Sequence, residues 1–197
     1  MADRNGRGAS RTEIRLAGEG GQGMILAGIV LAEAAAIYDG KNAVQTQSYG
    51  PEARGGASKA EVIISEGEID YPKVISADAL VVMSQEACDK YAAALKKSGV
   101  LIVDEEKVGR VPTSRAVQVP ITRLALEATG KTITANVVAL GVLVGLTQIV
   151  SRQAIEKAVA ARAPQGTQDM NRAALAAGFA AAEQWSGRQA ARAAVPA

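Results

Sequence analysis

Short apolar runs alternate along this chain with longer stretches whose apolar positions recur at helical spacing. Ile14–Ala17 predicts a first strand. Residues 24–38, apolar nearly all round, predict a helix buried on more than one side. The segment NAVQTQS (42–48) sets Ala43, Gln45 and Gln47 on one face and Val44, Thr46 and Ser48 on the other, which predicts a polar strand. AEVIIS (60–65), ALVVMS (79–84), VLIVD (100–104) and AVQVPI (116–121) predict four more strands. Helices are expected over 85–97, where Gly99 would stop the first, and over 122–129, 134–150, 152–163 and 171–185. Strand-helix alternation with crossovers of this length predicts an α/β fold, a three-layer Rossmann-like, mainly parallel sheet with a helical C-terminal part.

A chain of 197 residues with 48% hydrophobic content builds one core. The expected organisation is a flexible tail over 1–12, a single α/β domain over 13–185 and a second tail over 186–197. The N-terminal residues lack the apolar segment of a secretory signal, so the cytoplasm is the expected location. In the most lipid-like stretch, Ile133 to Val150, Asn136 and Thr147-Gln148 leave too short an apolar run for a membrane span. The formal charge of +2 is too small to drive binding to nucleic acid. One cysteine and no histidine exclude disulfides, an iron–sulfur cluster held by this chain alone, a histidine-containing zinc site and a histidine base.

Gly18-Glu19-Gly20-Gly21-Gln22-Gly23 has GxGxxG spacing between a predicted strand and a predicted helix. Glycines allow a tight turn and close approach of a ligand, and the helix start behind them offers free N–H groups to a phosphate. The competing reading is that they only let strand and helix pack closely. A dinucleotide enzyme also needs an acidic residue at the end of its second strand, but here that strand ends Gln45-Thr46-Gln47-Ser48, and Asp39 precedes it, misplaced for ribose. The loop therefore points to another phosphate-bearing ligand or to a protein interface.

Other residues carry paired readings. Asp104-Glu105-Glu106 suits a metal less well than a solvated strand end. Cys88 reads as a small core residue. Lys59 is either a phosphate partner or simply solvated, and Tyr49 either stacks on a base or anchors its loop. Gly141 and Gly145, in the apolar helix with Asn136, imply tight helix packing or a subunit interface.

GEGGQG, followed by QSYGPEARGGASKAEVIIS, ADALVVMSQEA, VLIVDEE and ANVVALGVLVG, closely resembles the gamma subunit, or gamma domain, of the 2-oxoacid:acceptor oxidoreductases of the pyruvate/2-oxoglutarate:ferredoxin type. The resemblance covers roughly residues 13–180. It implies a subunit of a complex that oxidatively decarboxylates a 2-oxoacid to an acyl-CoA and is inactive alone. Alpha, beta and delta-type partners would hold thiamine diphosphate, magnesium and the [4Fe-4S] clusters, and ferredoxin or a flavin/NAD-linked subunit would take the electrons. Coenzyme A would occupy a shared site, with Gly18, Gly20, Gly21, Gln22 and Gly23 facing its nucleotide end. Ser48, Tyr49, Arg54, Gly55 and Gly56 would form a charged turn at the cofactor cleft or at a subunit boundary, where Arg54 and Glu52 pair with a ligand or a neighbour. Which 2-oxoacid is oxidised, from pyruvate to indolepyruvate or phenylglyoxylate, is not written in this chain. The alternative is a free-standing Rossmann-type nucleotide-binding oxidoreductase, and a third reading keeps the complex but leaves the glycine loop without a ligand.

Overall fold

The computed structural model describes residues 11–49, 57–113 and 115–193. Six strands form one sheet in the order β2-β3-β1-β4-β5-β6, where β1 is Arg11–Glu19, β2 Asn42–Ser48, β3 Ala57–Ser65, β4 Ala77–Val82, β5 Leu95–Asp104 and β6 Val117–Val119. β1, β4, β5 and β6 pair in parallel. β3 runs antiparallel to both β1 and β2, so it is the one reversed strand and β2 again points the way of β1. The sheet is mixed but mostly parallel.

Alternation along β1 separates the two faces. Ile14 and Leu16 join Ala60, Val62, Ile64, Ala79 and Val81 in the larger core. That face is covered by α1 (Met24–Glu33), α3 (Ile121–Thr129), α4 (Ala135–Thr147), α5 (Arg152–Arg162) and α6 (Gln168–Ala193). On the other face Ala17, Leu80 and Val82 pack against Ala87 and Cys88 of α2 (Gln85–Tyr91). The three layers and the helical C-terminal part match the expected architecture.

Several boundaries differ from the sequence reading. Arg11 and Thr12, expected in a tail, open β1 because they register with Ser65 and Ile64. At the other end, the predicted tail from Ser186 continues α6 to Ala193, since its Ala-rich sequence favours helix without needing a buried face. The predicted helix 24–38 widens into a π-helical turn over Ala34–Tyr38. The helix expected over 85–97 stops at Tyr91, a 3₁₀ turn takes Ala92–Ala94, and Leu95 already pairs with Ala77. Gly99 is thus no helix terminator. It lies in β5 where the register with β4 shifts, and a Cβ there would stand 2.7 Å from Leu95 Cδ1.

The apolar α4 lies against α6 at backbone contact. A Cβ on Gly141 would sit 2.5 Å from the Leu175 carbonyl oxygen, one on Gly178 2.2 Å from that of Val138, and one on Gly145 2.7 Å from Ala182 Cβ. The Gly141/Gly145 spacing therefore serves packing within this chain. No helix among the described residues is long and apolar enough to cross a membrane.

Candidate functional site

The carboxyl end of β1 turns through Gly20 and Gly21 into α1. Gly21 (φ 93°) and Gly23 (φ 74°) take left-handed backbone conformations that side chains disfavour. At Gly20 and Gly21 an added Cβ would meet nothing within 4 Å, so the outer rim of the loop is open. Inside, the loop is fastened at three points. The Gln22 side chain accepts from Glu19 N (2.8 Å) and donates to the Met83 carbonyl at the end of β4 (2.9 Å). Ser58 Oγ donates to Gly18 O (3.2 Å), and Asn136 Nδ2, from α4, donates to Gly23 O (3.3 Å). Gly18 and Gly23 leave room for these straps, since a Cβ would come within 2.3 Å of Gln22 Oε1 at the first and 2.6 Å of Asn136 Nδ2 at the second.

α1 therefore starts in a fixed position, with no side-chain cap and no acidic residue in its first turn. Its leading amides have no intrahelical partner and carry the positive end of the helix dipole. Open glycines before an uncapped helix can receive an anion. Gln22 does a different job from the glycines around it, because both ends of its amide already hold backbone.

The second predicted element meets this edge through sheet register. Glu19 pairs with Ala57 and Ala17 with Lys59, which also pairs with Ser48. The end of β2 and the start of β3 therefore lie beside the glycine loop. Ser48 and Tyr49 are exposed, and Tyr49 Oη accepts from Gln47 Nε2 at 3.3 Å. Arg54, Gly55, Gly56 and Glu52 lie outside the described residues.

A dinucleotide reading finds no support in this topology. β3 stands between β1 and β2, so the end of β2 is not the neighbour that a ribose would reach. Asn42 and Arg11 share the partner Ser65, which places Asp39 at the opposite edge of the sheet. There its carboxylate accepts from Ser151 N and Ser151 Oγ, both at 2.6 Å, and steadies the start of α5.

The remaining candidates are occupied. Lys59 Nζ lies 2.7 Å from Glu61 Oε1, which also takes Arg15 Nε at 2.9 Å and Arg15 Nη2 at 2.6 Å. Burial alone would raise the Glu61 carboxyl pKa, but hydrogen bonds from Lys59 and Arg15 and their charges bring it below its ordinary value. Tyr91 covers this cluster, 5.4 Å from Arg15 and 5.7 Å from Lys59. The cluster escaped the sequence reading, which had no means of placing Arg15 opposite Glu61; register supplies that. Asp104 is fully buried rather than solvated, and its carboxylate accepts from Thr122 N (3.0 Å), Thr122 Oγ1 and Glu106 N (3.2 Å), capping α3 from outside. Glu105 and Glu106 face Arg123.

Cys88 is 1% exposed, and burial, helped by Asp89, pushes its thiol above its ordinary value. The native protein should therefore resist iodoacetamide at pH 8 and label fully once unfolded, as followed by intact mass. Rapid native labelling would contradict this placement.

Beside the loop opens a cleft of about 440 Å³ between α1, α4, α5 and the start of α6. Leu26, Val30, Ile133, Val137 and Leu140 line it, with Lys131 and Arg162 at its rim. Arg162 is held by Glu33, which raises the guanidinium's affinity for its proton. Nothing in the linear pattern marked this cleft, apart from one polar residue, Asn136, inside an otherwise apolar helix.

The pyruvate ferredoxin/flavodoxin oxidoreductase family matches the sequence over residues 13–181. The 2-oxoglutarate synthase subunit KorC of Methanocaldococcus jannaschii is 52% identical over 178 residues, spanning 88% of this chain and 95% of the relative. The gamma subunit of a keto/oxoacid ferredoxin oxidoreductase from Geobacter sulfurreducens, a solved structure, is 51% identical with a TM-score of 0.82, over 89% of this chain and 98% of that one. A larger 2-oxoglutarate:ferredoxin oxidoreductase chain from Magnetococcus marinus, solved with 2-oxoglutarate, coenzyme A and succinyl-CoA bound, shares the fold. Its TM-score is 0.78 at 23% identity, over 88% of this chain and 31% of that one.

Proposed function

The chain belongs to the pyruvate ferredoxin/flavodoxin oxidoreductase family, and from that premise we propose that it is the gamma-type subunit of a 2-oxoacid:ferredoxin oxidoreductase and forms part of the complex's coenzyme A site. The gamma subunit from Geobacter sulfurreducens, of nearly equal length, supports the subunit assignment. The name of the M. jannaschii relative makes 2-oxoglutarate the first acid to test. A chain with one cysteine and no histidine leaves cluster ligation to alpha, beta and delta-type partners, together with thiamine diphosphate and magnesium. Ferredoxin, or a flavin/NAD-linked subunit, takes the electrons. Assembly takes place in the cytoplasm.

The carrying observation is the open turn at Gly20 and Gly21 in front of an uncapped helix. Coenzyme A supplies the thiol that takes the acyl group. This chain supplies position: amides of the glycine loop and the first turn of α1 hold phosphate, while Gln22 and Asn136 keep that turn from shifting. Ser48 and Tyr49 stand at the same edge, and Arg54, Gly55 and Gly56 are proposed to complete the site, an arginine's planar fork being suited to phosphate or to a partner carboxylate.

Gly20→Glu tests this in the assembled complex. The backbone there is not left-handed and the surrounding space is empty, so folding should be unaffected. A carboxylate beside the phosphate should raise the KM for coenzyme A about tenfold, or roughly 1.4 kcal/mol, with kcat at saturation and the KM for the 2-oxoacid unchanged. An unaltered KM for coenzyme A would remove the loop from the site.

A further inference from the structure

One lateral side of the sheet is left open. Among the described residues β2 pairs only with β3, so every second residue of Asn42–Ser48 turns its N–H and C=O away from the sheet. The outermost strand on the other side, β6, is three residues long, and shortness is one way in which proteins blunt an edge. β2 carries no such device in its own sequence. Its seven residues keep unbroken register with β3 and include no charge, no proline and no bulge. A regular, uncharged edge of this length is a template for another strand.

The helix above this edge is unfinished on the same side. Ile25, Ile29 and Ala32 follow at i, i+4 and i+7 and form one stripe of α1. Gly28 looks at the sheet, since a Cβ there would stand 2.5 Å from Ala60 Cβ and 3.7 Å from Gln45 Cγ. Ala27 and Val30 line the cleft toward α4 and α5, and Glu33 holds Arg162 of α5. The stripe therefore takes the remaining flank, turned outward over β2. All three of its residues are half-buried, and Ile25 and Ile29 join no core cluster among the described residues. Glu33 is the only charge in residues 24–38, and it is already paired.

We propose that a second copy of this chain covers both features: the two β2 strands pair antiparallel about a two-fold axis, joining six strands from each copy into one sheet, and the α1 flanks meet above the seam. Two observations favour a copy over a different partner. The strand is complementary to itself. Reversed about Gln45, Asn42 faces Ser48, Ala43 faces Gln47 and Val44 faces Thr46, so small polar residues meet at the ends and β-branched residues meet beside the centre. A two-fold axis also brings like residues together, which a charged surface forbids; here the strand and the α1 stripe are both uncharged. With the axis normal to the sheet, the two α1 helices lie on one face, on either side of the seam, and their Ile25 and Ile29 close on each other. Antiparallel pairing points the two glycine loops to opposite ends of the joined sheet. The dimer thus leaves both loops open, and the proposal is independent of the coenzyme A reading.

The test uses the full chain alone, in analytical ultracentrifugation at micromolar concentration, where it should sediment as a dimer. Ile29→Lys and Ile29→Glu should each raise the dimer dissociation constant at least about thirtyfold, as expected when a charge enters the centre of an apolar contact. Their Tm should stay close to that of the wild-type monomer unit, because Ile29 lies outside the core clusters. Mixing the two variants should restore a dimer, since opposite charges then face each other across the axis. Amide exchange reads the strand itself: alternate amides of residues 42–48 should exchange slowly in the wild type and fast in Ile29→Lys. A monomeric wild type overturns the proposal. So does a dimer whose β2 amides exchange freely or which both Ile29 variants leave intact, because another face then joins the copies. A chain that is monomeric alone, with β2 amides protected only in the assembled complex, gives the edge to a partner subunit and overturns it as well. None of these outcomes alters the reading of Gly20→Glu.

Discussion

Gly178→Val is expected to lower stability by about 4 kcal/mol or more, enough to place it among the exceptional single substitutions. Its first added carbon would stand 2.2 Å from the Val138 carbonyl oxygen, 2.8 Å from Gly141 Cα and 2.9 Å from Val142 N. All three are backbone atoms of α4, so no side chain can swing aside, and relief requires α6 to move away bodily. That movement would open the packing of Leu175 and Phe179 in the larger core. In a chain of this size, 4 kcal/mol corresponds to a fall in Tm of roughly 8–16 °C, readable by circular dichroism. Gly187→Ala is the control, because an added Cβ there meets nothing within 4 Å, and it should be neutral or raise Tm slightly through helix propensity. An unchanged Tm for Gly178→Val would refute the backbone contact between α4 and α6.

Glu61→Gln is expected to cost about 3 kcal/mol, since removing one member of a buried ionic cluster leaves the others uncompensated. Arg15 is 5% exposed and would lose its one carboxylate partner among the described residues, while Lys59 can turn partly to water. Acid gives an independent signature. Burial works to raise the Glu61 value, yet the Lys59 and Arg15 contacts together bring it below the ordinary 4.5. A group with a depressed value in the folded state binds fewer protons there than in the unfolded chain. Its contribution is complete above pH 4.5 and is lost as the pH falls through the lowered value. The wild-type Tm should therefore drop more steeply below about pH 4 than that of Glu61→Gln, and the two curves should converge. Parallel curves would show that the cluster does not stabilise the fold through charge.

Much of the architecture is legible in the sequence because the signals are local. Apolar alternation locates β1 and gives the bounds of β2 residue for residue, with Gln45 on one face; that this face meets α1, where an added Cβ on Gly28 would stand 3.7 Å from Gln45 Cγ, comes from the fold. The glycine loop announces itself by spacing and context. Strand order is not local, and the reversal of β3 leaves no mark in a run such as VIIS, which reads the same in either direction. Leu95-Lys96-Lys97 looks like a basic helix end, yet pairing with Ala77 makes it strand. The same limit applies to the site. Gln22 looks like a ligand residue because it sits among the glycines, whereas its role as a strap depends on Met83, sixty-one positions away in the chain. Asn136 stands out as a polar break in an apolar helix, but only the fold places it against Gly23 and the cleft.

The reversed β3 also bears on how the protein reaches its native state. Parallel pairs such as β1 with β4 must close long stretches of chain before any contact forms, and such pairings are slow. β2 and β3 instead pair antiparallel across the short segment 49–56, at little loop-closure entropy. Since β3 then templates β1 along its whole length, the hairpin can act as a nucleus on which the distant strands assemble one after another. The register of these three strands is thus set by local pairing, while their apolar face stays uncovered until the C-terminal helices pack on it.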